Sequence, residues 1–69
     1  NHHVNNAQYI DMAQEYLPKE WKLARVRVEY KNQAVLGDMI CPVVCRMENS
    51  VTVDLRGEDG RSYAIVEFA

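Results

Sequence analysis

The chain lacks several things, and each absence narrows the field. No apolar run approaches the length of a transmembrane helix, and no basic-then-apolar leader opens the sequence as a signal peptide would. In a fragment, a missing leader says nothing about the parent. There is no basic excess either. Eight Lys and Arg against ten Asp and Glu leave a formal net charge of −2, whereas a phosphate-backbone binder carries surplus cations. That argues against nucleic acid as a partner. Repeats, low-complexity tracts and internal linkers are absent. Cysteine is scarce: Cys41 and Cys45 alone. Four residues apart on one strand they share a face but lie roughly 13 Å apart at ~3.3 Å per residue, beyond the reach of a disulfide. They are expected to be small buried hydrophobes in a reducing compartment. A zinc site from His2, His3, Cys41 and Cys45 is conceivable, but the spacing fits no standard ligand pattern. No cofactor and no metal are expected.

What remains is one small domain. The chain has 69 residues, 48% of them hydrophobic, which is ordinary for a globular chain and too apolar for a disordered one. A core of this size supplies only a few kcal/mol.

The densest cluster of polar chemistry is the opening, Asn1-His2-His3-Val4-Asn5-Asn6. Asn5 or Asn6 suits a helix cap, because a carboxamide oxygen accepts from first-turn N–H groups. The other polar groups exceed what a cap needs. Beside free backbone donors and the positive end of a helix dipole, they can hold a carbonyl oxygen and the charge that develops on it. The cluster therefore reads as a candidate active site, and its abrupt start predicts that the sequence is a fragment.

From Asn6 to Leu17 the pattern is helical, with Ile10, Ala13 and Leu17 at i, i+3, i+7 and Pro18 stopping it. The apolar arc, widened by Tyr9, Met12 and Tyr16, is broad enough to be covered on more than one side. The period then changes to two: Ala24, Val26, Val28 and Tyr30 on one face, Arg25, Arg27, Glu29 and Lys31 on the other. Gly37-Asp38 is a turn, and Pro42 inside the next apolar strand marks an edge or a bulge. Glu48-Asn49-Ser50 and Glu58-Asp59-Gly60 turn the chain twice more. The expected elements are a helix over 6–17 and strands over 22–34, 39–48, 50–57 and 61–68, in a single partial domain spanning 1–69. Short turns predict an antiparallel meander. The helix hides its apolar face only by lying across the concave side of the sheet, which makes an α+β, hot-dog architecture. Open edges favour a second copy or a second domain. The cations Lys19, Lys22, Arg25, Arg27 and Lys31 form either a docking patch for an acidic partner or a solvated strand face with Glu20 and Glu29 interleaved.

Asn1, His3, Val4, Asn5 and Asn6, followed by Tyr9-Ile10, resemble the signature of acyl-acyl carrier protein thioesterases of the plant and bacterial fatty-acid type. Val28-Glu29-Tyr30-Lys31 and then Gly37-Asp38 resemble the strand that follows that family's helix. The motif support covers residues 1 to about 39, and strand pattern alone covers the rest. That family carries two hot-dog domains in one chain, and the signature belongs to the second. The resemblance therefore implies a truncated second domain that hydrolyses a fatty acyl thioester, with acyl-acyl carrier protein or acyl-CoA as substrate partner. A second hot-dog domain or a homodimer partner is implied as well. The compartment is expected to be cytoplasmic in a bacterium or plastid in a plant, with no membrane partner. The family also has an aspartate two residues before the position of Asn1, and an acidic residue where this chain has Gln33.

Thioester hydrolysis needs an activated water, a stabilised oxyanion and a slot for the acyl chain. Asn1, His3 and Gln33 are the expected catalytic set, with His3 and Asn1 orienting water or thioester. Gln33 cannot take a proton but can hold a water or the carbonyl by hydrogen bonds. His2 is expected to be a spectator. The backbone near Val4, Asn5 and Asn6 would face the oxyanion, and Tyr9, Met12 and Tyr16 would border the acyl slot. Lys22, Arg25, Arg27 and Lys31 would dock the carrier protein. The alternatives are a single-domain acyl-CoA thioesterase or a dehydratase of the same fold, and a non-catalytic module that binds acyl chains or only dimerises.

Overall fold

A computed structural model describes residues 4–21, 25–35 and 37–69. One helix, α1 (Asn6–Gln14), precedes four strands: β1 (Val26–Tyr30), β2 (Cys41–Arg46), β3 (Val51–Arg56) and β4 (Ser62–Phe68). All neighbours are antiparallel, in the order β1-β4-β3-β2. The expected α+β arrangement of one helix on a four-stranded open sheet is what the chain adopts.

The order of the strands corrects the simple meander. β2, β3 and β4 follow one another through tight turns, but β1 lies beside β4 at the far side of the sheet. The reason lies in the connections. The β2–β3 turn closes with Met47 N donating to Ser50 O at 2.8 Å, and the β3–β4 turn with Gly57 N donating to Arg61 O at 2.9 Å. Residues 31–40, by contrast, are too long a stretch for a hairpin loop. They carry the chain from one edge of the sheet to the other.

The helix starts where Asn5 caps it. The Asn5 side-chain oxygen accepts from Gln8 N, and Gln8 Oε1 accepts from Asn5 N, a reciprocal capping box. Extension through Leu17 would require a Pro18 N–H bonded to Gln14 O, and proline has none. The chain instead tightens into i→i+3 bonds, Tyr16 N to Ala13 O and Leu17 N to Gln14 O. This is why the helix ends before the expected residue 17. β1 likewise stops at Tyr30, short of residue 34, because Lys31 N and Asn32 N both turn to Tyr63 O. Lys22 and Ala24, expected at the start of that strand, lie outside the described residues.

Register puts one set of side chains on the helix side of the sheet. Val28 pairs with Val66, Val66 with Val53, and Val53 with Val44. In the two central strands this face is sealed: Val51, Val53, Leu55, Ala64, Val66 and Phe68 are buried, together with Tyr9 and Ala13 of the helix and Val4 and Ala34. Each large side chain here is worth about 1.5–3 kcal/mol of burial. Cys41 and Cys45, expected to be buried, are exposed and unpaired. Odd-numbered residues of β2 point to the outer face of the sheet, away from the helix. Pro42 does sit on an edge strand. Alternation from the Met47–Ser50 bond turns the backbone groups of Pro42, Val44 and Arg46 away from β3, so the proline removes no ladder bond.

Candidate functional site

Among the described residues, the start of α1 and the segment after β1 are hydrogen-bonded at Ala34, which is fully buried. Its carbonyl accepts from Val4 N at 3.0 Å. Its N–H donates to the Tyr9 hydroxyl at 2.9 Å, across 25 residues of sequence. Both backbone groups of one residue are thus satisfied by the opening motif, as a buried peptide requires. On the other side of Gln33, Asn32 is tied to β4. Its N–H donates to Tyr63 O at 3.2 Å and its Nδ2 to Ser62 O at 2.9 Å. Further along, Val35 N donates to Asp38 Oδ2 at 3.1 Å, and Asp38 N to Val35 O at 3.0 Å, closing a turn in which Gly37 takes a φ of +100°. The Tyr63 hydroxyl also donates to Asp38 Oδ2, at 3.2 Å. Desolvation first, and the Asp38 charge second, push the Tyr63 phenol above its ordinary value.

These tethers frame a cleft of about 260 Å³ lined by Val4, Asn6, Tyr9, Tyr30, Lys31, Asn32 and Gln33. Its character follows from that lining. Three carboxamides and an ammonium group offer donors; two phenol rings and one valine offer apolar wall. Tyr9 and Tyr30 meet with ring centroids 6.1 Å apart at 54°. Asn6 opens the first turn of the helix, where free N–H groups point outward. Such a lining suits a polarised carbonyl next to an apolar arm.

The residues expected from sequence are distributed as follows. Val4, Asn6, Tyr9 and Gln33 come together in the cleft. Asn5 has its side-chain oxygen committed to the cap. Tyr9 is buried, while Met12 is half-buried against the core and Tyr16 is exposed; these two do not line the cleft. Asn1 and His3, with His2, lie outside the described residues, as does Lys22. Of the remaining cations, Arg25 and Arg27 are exposed, with Arg27 Nη1 at 4.0 Å from Glu67 Oε1. Lys31 sits at the cleft and pairs with Glu29 at 3.0 Å. Tyr30 and Asn32 were missed as lining residues. The one signal available for them was their place on either side of Lys31, immediately before Gln33.

A larger depression of about 450 Å³ lies on the sheet, lined by Arg27, Val28, Glu29, Thr52, Ile65 and Glu67. Most of its charged side chains face each other and neutralise one another locally. It gathers none of the opening motif, and size alone does not make it the site.

Among the described residues no group of His, Cys, Asp and Glu is placed to hold a metal ion, and no helix is long and apolar enough to cross a membrane. Among known families, the model of the Acyl-ACP thioesterase C-terminal domain matches residues 1–66. Comparison with curated proteins gives no significant match, and comparison with solved structures gives none either.

Proposed function

Because the chain belongs to the Acyl-ACP thioesterase C-terminal domain family, we propose that it contributes the hydrolytic site for a fatty acyl thioester, releasing the fatty acid from acyl-acyl carrier protein. The single observation that carries this reading is the cleft at the start of α1. It joins Val4, Asn6 and Tyr9 of the opening motif to Gln33, a residue distant in sequence. In this reading His3 and Asn1 orient the water and the thioester. Asn6 and the first-turn N–H groups face the oxyanion, and the Gln33 carboxamide holds the water or the carbonyl. Lys31 at the cleft, with Lys22, Arg25 and Arg27, presents cations to an acidic carrier.

A second reading has its own support. Among the described residues the cleft is lined by carboxamides, an ammonium and phenols, and by no carboxylate, so this lining offers no general base of the ordinary kind. That favours a module that binds an acyl thioester without cleaving it.

The partner follows from β2. Its even-numbered backbone groups face outward, and Val43 and Val44 on its two faces are both exposed. We assign this edge to strand pairing with a second hot-dog domain or a second copy of the chain.

Thiol release from a long-chain acyl thioester tests the catalytic reading, using the natural polypeptide that carries this domain. Hydrolysis is expected to fall at least about a hundredfold in His3→Ala, in the range for loss of a positioned acid–base group. Absence of hydrolysis in the unaltered protein, with acyl ligand still bound, favours the binding module.

A further inference from the structure

We propose that Tyr9 is a positioning residue whose hydroxyl, by holding the Ala34 peptide, fixes where Gln33 stands in the cleft. The proposal rests on the reading of Gln33 as a group that meets the thioester, and it goes beyond that reading by assigning what aims it.

Gln33 is exposed, and its side chain makes no hydrogen bond to the described residues. Among the described residues, no hydrogen bond of the side chain sets its place. The backbone does. Asn32 before it is bound to β4 by two hydrogen bonds. Ala34 after it is bound to the helix side by two more, from Val4 N and to Tyr9 Oη. The Asn32 anchor belongs to the sheet, and the Ala34 anchor belongs to the motif. Only the second ties Gln33 to the helix start, where Asn6 and the free N–H groups lie.

Of the two bonds at Ala34, the one to Tyr9 is the one a side chain controls. The ring that carries this hydroxyl is 2% exposed, packed from the helix and against Tyr30. A phenol so enclosed has little freedom to move, so its oxygen is a fixed acceptor. Removing that oxygen leaves the Ala34 N–H buried without a partner. The Lys31–Asp38 segment can recover a partner only by moving Ala34 toward water, and Gln33 moves with it. Displacement of about 1 Å in a positioning group is enough to cost about a hundredfold in rate. Tyr9 is thus not required to touch substrate, and the ring can line the cleft while the hydroxyl does the positioning.

The test is a double-mutant cycle in the natural polypeptide. Tyr9→Phe keeps the ring and deletes the oxygen, and Gln33→Ala deletes the group it aims. Tyr9→Phe is expected to lower kcat about tenfold in the wild-type background with little change in KM, and by less than about twofold in the Gln33→Ala background. An equal loss in both backgrounds, or no loss in either, overturns the proposal. A second readout stands apart from activity. In the wild type the Ala34 amide is expected to exchange with solvent as slowly as the buried amides of β4, and in Tyr9→Phe at least about tenfold faster. It should do so while the amides of β3 and β4 keep their rates. An Ala34 amide already unprotected in the wild type overturns the proposal whether or not Tyr9→Phe folds. If the wild type hydrolyses nothing while Ala34 shows the expected exchange, the catalytic reading fails and the positioning of Gln33 stands.

Discussion

The two edges of this sheet flank the same core and are built differently. β1 shows solvent a charged outer row, with Arg27 against Glu67 and Glu29 against Lys31, and it runs directly into the tethered segment that bears Gln33. β2 carries apolar side chains on both faces from Cys41 to Cys45, with the first charge at Arg46. Val43, Val44 and the flanking Met39 and Met47 are all exposed. Charge on an edge discourages pairing, and its lack invites pairing. One edge contributes Tyr30 to the wall of the cleft, and the other leaves its outward backbone groups open. In the proposed reading, hydrolysis and strand pairing therefore lie at opposite edges of one small sheet.

The comparison fails if the edges are not independent, and the core decides that. Phe68 pairs in register with Val26 of β1 and with Val51 of β3, and it is fully buried. Phe68→Ala is expected to cost about 3–5 kcal/mol, read from denaturant unfolding. The β1 side should open first, because the bonds between Arg25 and Ala69 lie beside this residue. The association edge comes next in size. Val44→Lys places a charge on the open edge of β2, where Val44 is 39% exposed, and is expected to abolish strand-paired association. The fold itself should change by less than about 1 kcal/mol. Sedimentation checks the first and thermal unfolding the second. A variant that associates as before would mean the edge is not the interface.

The smallest effect is one of pH. The Tyr63 phenol is raised above its ordinary value by desolvation and by Asp38. Its protonated form is the one the fold favours, so this contribution is present in full below the ordinary tyrosine range and is lost as pH rises through the raised value. Stability is expected to decline modestly on the alkaline side. The slope should shrink in Asp38→Asn, in which the charge that repels the phenolate is gone. Asp59 shows the opposite sign. The Arg61 backbone N–H, and then its side chain, hold that carboxyl below its ordinary value, so its contribution is lost only as pH falls.

Much of the fold was legible in the sequence because it rests on local chemistry. The period-two rows and the Asp59-Gly60 turn each have a short-range cause, and the structure shows both, whereas α1 ends at Gln14, a turn before Pro18. The place of β1 was not legible. Strand order depends on which edge is open once the hairpins have closed, and that is decided by pairing across the chain. The exposure of Cys41 and Cys45 was missed for a related reason. A small apolar side chain reads as buried unless one knows that its face of the sheet has no cover. The family resemblance singled out Val4, Asn6, Tyr9 and the distant Gln33, and these four line one cleft. The clamp that joins them was not legible, because a bond from a backbone N–H to a phenol leaves no trace in spacing or periodicity. Ala34 looks like any small residue in the sequence, and its hydrogen bonds to Val4 and Tyr9 appear only in the fold.

In the proposed function, hydrolysis takes place in the small cleft at the helix start and not in the larger depression on the sheet. The most direct test is steady-state hydrolysis of an acyl thioester by the natural polypeptide carrying Gln33→Ala, beside Thr52→Ala in the depression. Gln33→Ala is expected to lower kcat at least about tenfold, as when a group that orients or stabilises the reacting carbonyl is removed, and Thr52→Ala to leave the rate unchanged. Full activity in Gln33→Ala together with a loss in Thr52→Ala would contradict that placement.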